Sequence, residues 1–171
     1  MQETPQEYTQ RILSHTEGKD PLRVQRETPK KLAALIRRLD KKRLTKRPAP
    51  EKWSIAEIVA HLADAEIVAG WRLRQILSTN GTTIQSFDQN AWASTFRYGR
   101  QDTKQSLATF QALREYNLAV LKSVPKALWE NYGMHQERGK ESVAHLVRML
   151  AGHDVNHVQQ VEKIVKEGRK K

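Results

Sequence analysis

Apolar residues along most of this chain return at intervals of three and four, the spacing that gathers them on one side of a helix, and almost nothing reads as strand. Residues 5–17 predict a first helix, ended by Gly18 and the break at Asp20-Pro21. A second starts at Thr28-Pro29, a capping residue followed by proline in the first helical position, and runs through Leu32, Leu35, Ile36 and Leu39. Pro48 and Pro50 close a basic connection. Ser54 followed by Glu57 is a capping box, with Trp53 and Ile58 as a hydrophobic staple, and the helix it opens reaches about Leu77. Asp102 caps a helix through Leu107, Phe110, Leu113, Leu118 and Leu121 that stops before Pro125, and a last helix spans about Glu141 to Glu167. Between Ser78 and Arg100 runs a long irregular connection. Loops of that length in a compact domain are functional or disordered, and its aromatics argue for folding over something. Trp92, Phe96 and Tyr98 within it read as the wall of a pocket mouth or as core.

Turning the last helix by about 100° per residue assigns each side chain a direction. Val143, Leu146, Val147, Leu150, Val158, Val161, Ile164 and Val165 fall on one packing stripe, with His157 in its middle, His153 at its edge and Asp154 within it. An imidazole or carboxylate in such a place costs free energy unless a partner satisfies it. Histidines at i and i+4 lie one turn apart on one side, which lets both reach a single ion. Such a pair also arises by chance, and its members are then simply hydrogen-bonded. In the helix opened by Ser54, residues Ile55, Ile58, Val59, Leu62, Ala65, Ala69, Leu73 and Ile76 make the stripe. His61 lies on its flank and faces the pair if the two stripes pack together. His15, His135 and His145 read as solvated.

The length of 171 residues suits one domain with one core, and 38% hydrophobic with 29% charged residues suits a folded chain. No apolar run approaches the ~20 residues of a membrane span, and the start lacks a basic region followed by an apolar one, so the expected location is the cytoplasm. With no cysteine, a metal has only His, Asp and Glu as ligands, and no protein thiol is available as nucleophile. The net charge of +11 raises nucleic acid as a partner. Its clusters, Lys41-Lys42-Arg43 with Lys46-Arg47 and the tail Lys163, Lys166, Arg169, Lys170 and Lys171, read as solvated surface. No zinc-finger spacing, RNA-binding sheet signature or glycine-rich phosphate loop accompanies them.

Three stretches taken together resemble a known family. They are Trp53-Ser54-Ile55 leading into His61-Leu62-Ala63-Asp64-Ala65-Glu66, the loop Phe87-Asp88-Gln89-Asn90-Ala91-Trp92-Ala93, and His153-Asp154-Val155-Asn156-His157 followed by Gln160. Over roughly residues 22–165 the chain resembles the DinB/YfiT-like metalloprotein superfamily, the small helical damage-inducible proteins and not the DNA polymerase of the same name. The resemblance implies an all-α fold, a four-helix bundle with a long crossover connection. The chain is then one domain over 1–171, with a bundle core at about 22–167 and a basic tail at 168–171. It also implies a homodimer and a divalent ion, zinc or nickel, on three histidines. Carried over by position, these are His61, His153 and His157, and for His61 it is the resemblance that makes it the third ligand.

Three protein ligands leave a coordination position open, as in catalytic rather than structural sites. Relatives imply two chemistries on a small-molecule substrate: S-transfer using a low-molecular-weight thiol, and metal-dependent hydrolysis. Glu66 reads as a general base or as a buried ion pair with an arginine such as Arg114. Asp154 reads as the acceptor that orients a ligand histidine or as the partner of a nearby cation. Gln160, on the histidine side of its helix, reads as a hydrogen-bond partner of substrate or ligand, or as surface. Outside enzymes, a non-catalytic metal-binding stress-response protein fits the same histidines. A nucleic-acid-associated protein requires the two basic clusters to converge on one face.

Overall fold

The computed structural model describes residues 3–168. In chain order the helices are α1 (Pro5–Ser14), α2 (Pro21–Ile36), α3 (Lys41–Thr45), α4 (Ile55–Ser78), α5 (Gln89–Thr95), α6 (Thr103–Ser123) and α7 (Val143–Glu167). Three short strands, β1 (Thr82–Ile84), β2 (Tyr132–His135) and β3 (Gly139–Ser142), stand between them. Helices α2 and α4 each pack on both α6 and α7, which closes a four-helix bundle with α2 and α4 across the diagonal. No helix among the described residues is long and apolar enough to cross a membrane. Arg169, Lys170 and Lys171 of the basic tail lie outside the described residues.

The capping chemistry behaves as the sequence predicts at α4. Ser54 Oγ accepts from the Glu57 amide at 3.3 Å, and Glu57 returns the bond to the Ser54 amide at 2.8 Å. Arg47 pairs with the same carboxylate. Elsewhere the boundaries move. Asp20-Pro21 does part the first helix from the second, and it opens the second as well: Asp20 caps α2 through the Leu22 amide and Pro21 takes the first helical position. Thr28-Pro29 is therefore interior to α2 rather than its start. A proline there removes the donor that would meet the carbonyl four residues back. The Gln25 carbonyl so freed accepts from Arg114 on α6, at 3.0 Å. The last helix begins at Val143, capped by Ser142, and Glu141 belongs to β3.

The sheet is the element that periodicity missed. β1 pairs parallel with β2, and β2 antiparallel with β3. Strands of three or four residues are too short to show alternation. Gly133 is required there, because a Cβ would stand 2.4 Å from the Ile84 side chain. Gly139, at φ +76°, turns the hairpin.

The bundle core is divided along its length. One apolar cluster holds Leu32, Ile55, Ile58, Leu62, Phe110, Val158 and Val161, and the other holds Leu73, Ile76, Leu121, Val143 and Val147. Between them in sequence, on α4, α6 and α7, lie Glu66, Arg114 and Asp154, all buried.

Candidate metal centre

α4 and α7 meet along the bundle and bring the three histidines together. Residues 54–63 are buried without interruption, because α4 is enclosed by α3, α6, α7 and the turn at Tyr98–Arg100. His61, placed on a flank by helical geometry, is thus 1% exposed. His61 Nε2 lies 3.0 Å from His153 Nε2, which lies 3.1 Å from His157 Nε2. All three donor atoms fall within 4.8 Å of one another.

Protonation decides what this cluster can hold. Burial, followed by the His157 imidazole, keeps His61 well below the usual histidine range. Burial, with both neighbouring imidazoles and Arg114, does the same to His153. Burial pushes His157 down to about 4, against the opposing pull of Gln160. The rings are therefore neutral near neutrality. His157 Nδ1 donates to Gln160 Oε1 at 2.9 Å, which leaves its Nε2 as a bare lone pair aimed at the other two rings. Nitrogens held about 2.0–2.1 Å from a tetrahedral zinc ion stand about 3.3 Å apart, close to the separations here. Convergent neutral imidazoles form a donor set for a borderline divalent cation.

Trp53 covers this cluster. Its ring lies 4.9 Å from that of His61 and is stacked at 6.5 Å on that of His157. The sequence offered only a helix staple at that position, and nothing in the helical pattern signals the further contact. On another side, a cavity of about 510 Å³ opens onto His61 and His153, walled by α1, α4, α7, the 86–90 loop and the β2–β3 hairpin.

Other site candidates fall elsewhere. Glu66 forms the buried ion pair: Oε2 accepts from Arg114 Nε at 2.9 Å and Oε1 from Asn117 Nδ2 at 2.9 Å. Asp154 accepts from Arg114 through both oxygens, at 2.5 and 3.1 Å. With the Gln25 carbonyl, the guanidinium donates four hydrogen bonds, and its Nη2 also lies 2.8 Å from Glu66 Oε2. Both carboxylates are thus committed to Arg114, and the general-base and histidine-orienting readings give way to the ion-pair ones. Burial, the largest influence on Asp154, pushes its carboxyl up despite the guanidinium. Trp92 packs between Phe87 and Phe96, at 4.9 and 5.6 Å, and lines a neighbouring groove rather than the histidine cavity. Tyr98 is core, its hydroxyl donating to Asp64 at 2.6 Å.

Two sequence expectations need correction. His135 is not solvated: it is 3% exposed in β2 and lines the histidine cavity. The strand that buries it left no periodic trace. His15 and His145 are half-buried rather than free in solvent. Of the basic clusters, α3 meets the C-terminal end of α7, where Arg43 and Lys46 share a groove with Glu167 and Gly168. Cations are favoured at that end by the helix dipole.

Comparison with known proteins gives the same picture. A "putative metal-dependent hydrolase" of Oceanobacillus iheyensis is 25% identical over 136 residues, covering 77% of this chain and 76% of that protein. A protein of the same description from Bacillus mycoides is 23% identical over 135 residues, covering 79% and 78%. Among solved structures, YfiT from Bacillus subtilis superposes with a TM-score of 0.81 at 20% identity, over 86% of this chain and 85% of that one. YfiT is described as a probable metal-dependent hydrolase with an unusual four-helix bundle topology, and the likeness establishes the shared fold. The family model of the DinB superfamily matches residues 26–161, a span that holds most of the bundle and all three clustered histidines, and the chain belongs to that superfamily.

Proposed function

We propose that this chain is a metal-dependent hydrolase of a small molecule, with His61, His153 and His157 holding one divalent ion, zinc or nickel. The observation that carries this reading is the convergence of three neutral imidazoles, two of which, His61 and His153, line a cavity large enough for a small substrate. The names of the relatives support it. When bound, such an ion supplies Lewis-acid activation at its open position, of water for hydrolysis or of a thiol for S-transfer. The chain's own residues do the rest. Gln160 fixes the proton of His157 on Nδ1, so its Nε2 stays available. Trp53 shields the His61 and His157 rings, which confines approach to the cavity side.

The test is elemental analysis of protein purified without a metal-affinity tag, alongside His157→Ala, followed by an ester and amide panel run with and without low-molecular-weight thiols. We expect one ion per wild-type chain, none in the variant, and turnover that needs metal but no thiol. Turnover only with thiol moves the reading to S-transfer. A wild type that carries no metal and binds added zinc no better than the variant overturns it.

A further inference from the structure

The same cavity holds a second pair of buried groups that the metal centre leaves unused. Arg72, on α4, is 8% exposed and lines the cavity with His61 and His153. Its Nη2 donates to the Gln85 carbonyl at 2.6 Å, and its guanidinium lies 5.8 Å from the Phe87 ring centre. No carboxylate among the described residues forms a salt bridge with it. Neighbouring cations and acids are otherwise engaged: Arg138 is held by Glu141 through two bonds, Glu3 by Arg11, and Asp88 caps α5. Glu137 sits exposed at the rim. A buried cation without a counter-ion is costly, and burial followed by Arg138 pushes Arg72 down to about 10.

His135 faces it. Its Nδ1 accepts from the backbone amides of Glu137 at 3.1 Å and Arg138 at 3.4 Å. A neutral ring accepting at Nδ1 carries its proton on Nε2, and burial holds His135 neutral, with a value of about 4. That Nε2–H lies 3.4 Å from Arg72 Nη2. Two donors therefore stand side by side in the cavity wall, one charged and one neutral, with no acceptor among the described residues bridging them. Paired donors of this kind suit the oxygens of an oxyanion, and a single positive charge suits a monoanion.

We infer that Arg72 and His135 form a subsite for a carboxylate of the substrate, so that the cavity takes a small carboxylic acid whose other end reaches the three histidines. The second half of this statement rests on the metal-centre reading; the subsite itself does not. The test is NMR titration of the His135 Nε2–H resonance in the zinc-loaded chain and in His157→Ala. The probes are acetate and benzoate, against the neutral acetamide and benzamide and against inorganic phosphate. We expect the carboxylates to shift this resonance in both proteins, and the amides to bind at least about tenfold more weakly, as loss of a charge-assisted bond requires. Arg72→Met should weaken benzoate by a similar factor without changing zinc affinity; Arg72→Lys, which keeps the charge, should lose less. Equal binding of benzoate and benzamide overturns the inference, as does a His135 resonance that no carboxylate moves. Phosphate binding tenfold tighter than acetate overturns the choice of carboxylate. A carboxylate shift in a chain that binds no zinc upholds the subsite and removes the hydrolase reading instead.

Discussion

Replacing Arg114 with methionine tests the interior most directly, because that one guanidinium neutralises two carboxylates with almost no access to water. Glu66 and Arg114 are each 2% exposed and Asp154 is fully buried. In Arg114→Met both acids lose their cation, and the Gln25 carbonyl, already deprived of its helical donor by Pro29, loses the Arg114 N–H that replaces it. Breaking a buried ion pair from one side typically costs about 3–5 kcal/mol, since an uncompensated charge stays behind. At about 2–4 °C per kcal/mol for a domain of this size, the melting midpoint should fall by roughly 10 °C. Removing all three groups, as Arg114→Met with Glu66→Met and Asp154→Leu, leaves no stranded charge and should recover most of the loss.

Acid provides a second signature. Burial already pushes Asp154 up with the guanidinium in place, and its loss pushes the carboxyl further. The folded variant then takes up a proton more readily than its unfolded chain. Its deficit against wild type should therefore shrink as pH falls from about 7 toward about 5. Calorimetry and urea unfolding of the three proteins across that range give the answer. A single variant within about 1 kcal/mol of wild type would falsify the claim that Arg114 neutralises stranded charge. So would a triple variant no more stable than the single one.

Zinc at about 100 times its dissociation constant should stabilise wild type by about 2.7 kcal/mol and leave His61→Ala unmoved, as read by thermal unfolding with and without a chelator. Gly152→Ala should release α1 from α7, because the new Cβ would stand 2.0 Å from the Ile12 carbonyl oxygen. Ile12 is fully buried, so the cost is about 2–4 kcal/mol, and limited proteolysis should cut first around α1. His135, neutral in the fold with a value of about 4, should weaken the protein in acid. The unfolded chain binds this proton below about pH 6.5, so stability is full above that value and declines until about pH 4, by at most about 3 kcal/mol. His135→Gln should flatten that slope in metal-loaded protein; an unchanged slope would assign the acid sensitivity to other groups.

Local signals carried part of this structure and tertiary ones the rest. Ser54 and Glu57 announced α4 because a capping box is complete within four residues. The spacing of His153 and His157 put two imidazoles on the packing side of α7, for the same local reason. His61 was different: helical projection takes one stripe as buried, whereas the first half of α4 is enclosed on every side. Thr28-Pro29 looked like a helix start because proline inside a helix normally leaves a carbonyl unpaired. Here Arg114, 85 positions away along the chain, supplies the missing donor, and no window of sequence contains both. Arg72 and His135 were invisible in the same way, since their juxtaposition depends on a three-stranded sheet too short to show a period.

The turn from His153 to His157 joins the two polar constructions of the interior, and this constrains how the site works. Asp154 is bound through both oxygens to Arg114 on α6, which fixes the rotation of α7 at the point where its two histidines must meet His61. Two carboxylates share one guanidinium there, and of these three groups it is Arg114 that bears on His153, helping burial keep that imidazole neutral and its lone pair free. Held by these bonds in the interior, Glu66 and Asp154 do not line the cavity where substrate or water would be met. Carboxylates buried in the bundle thus hold α7 and its histidines in position. Recognition belongs to the other side of the cluster, where the cavity meets Arg72 and His135.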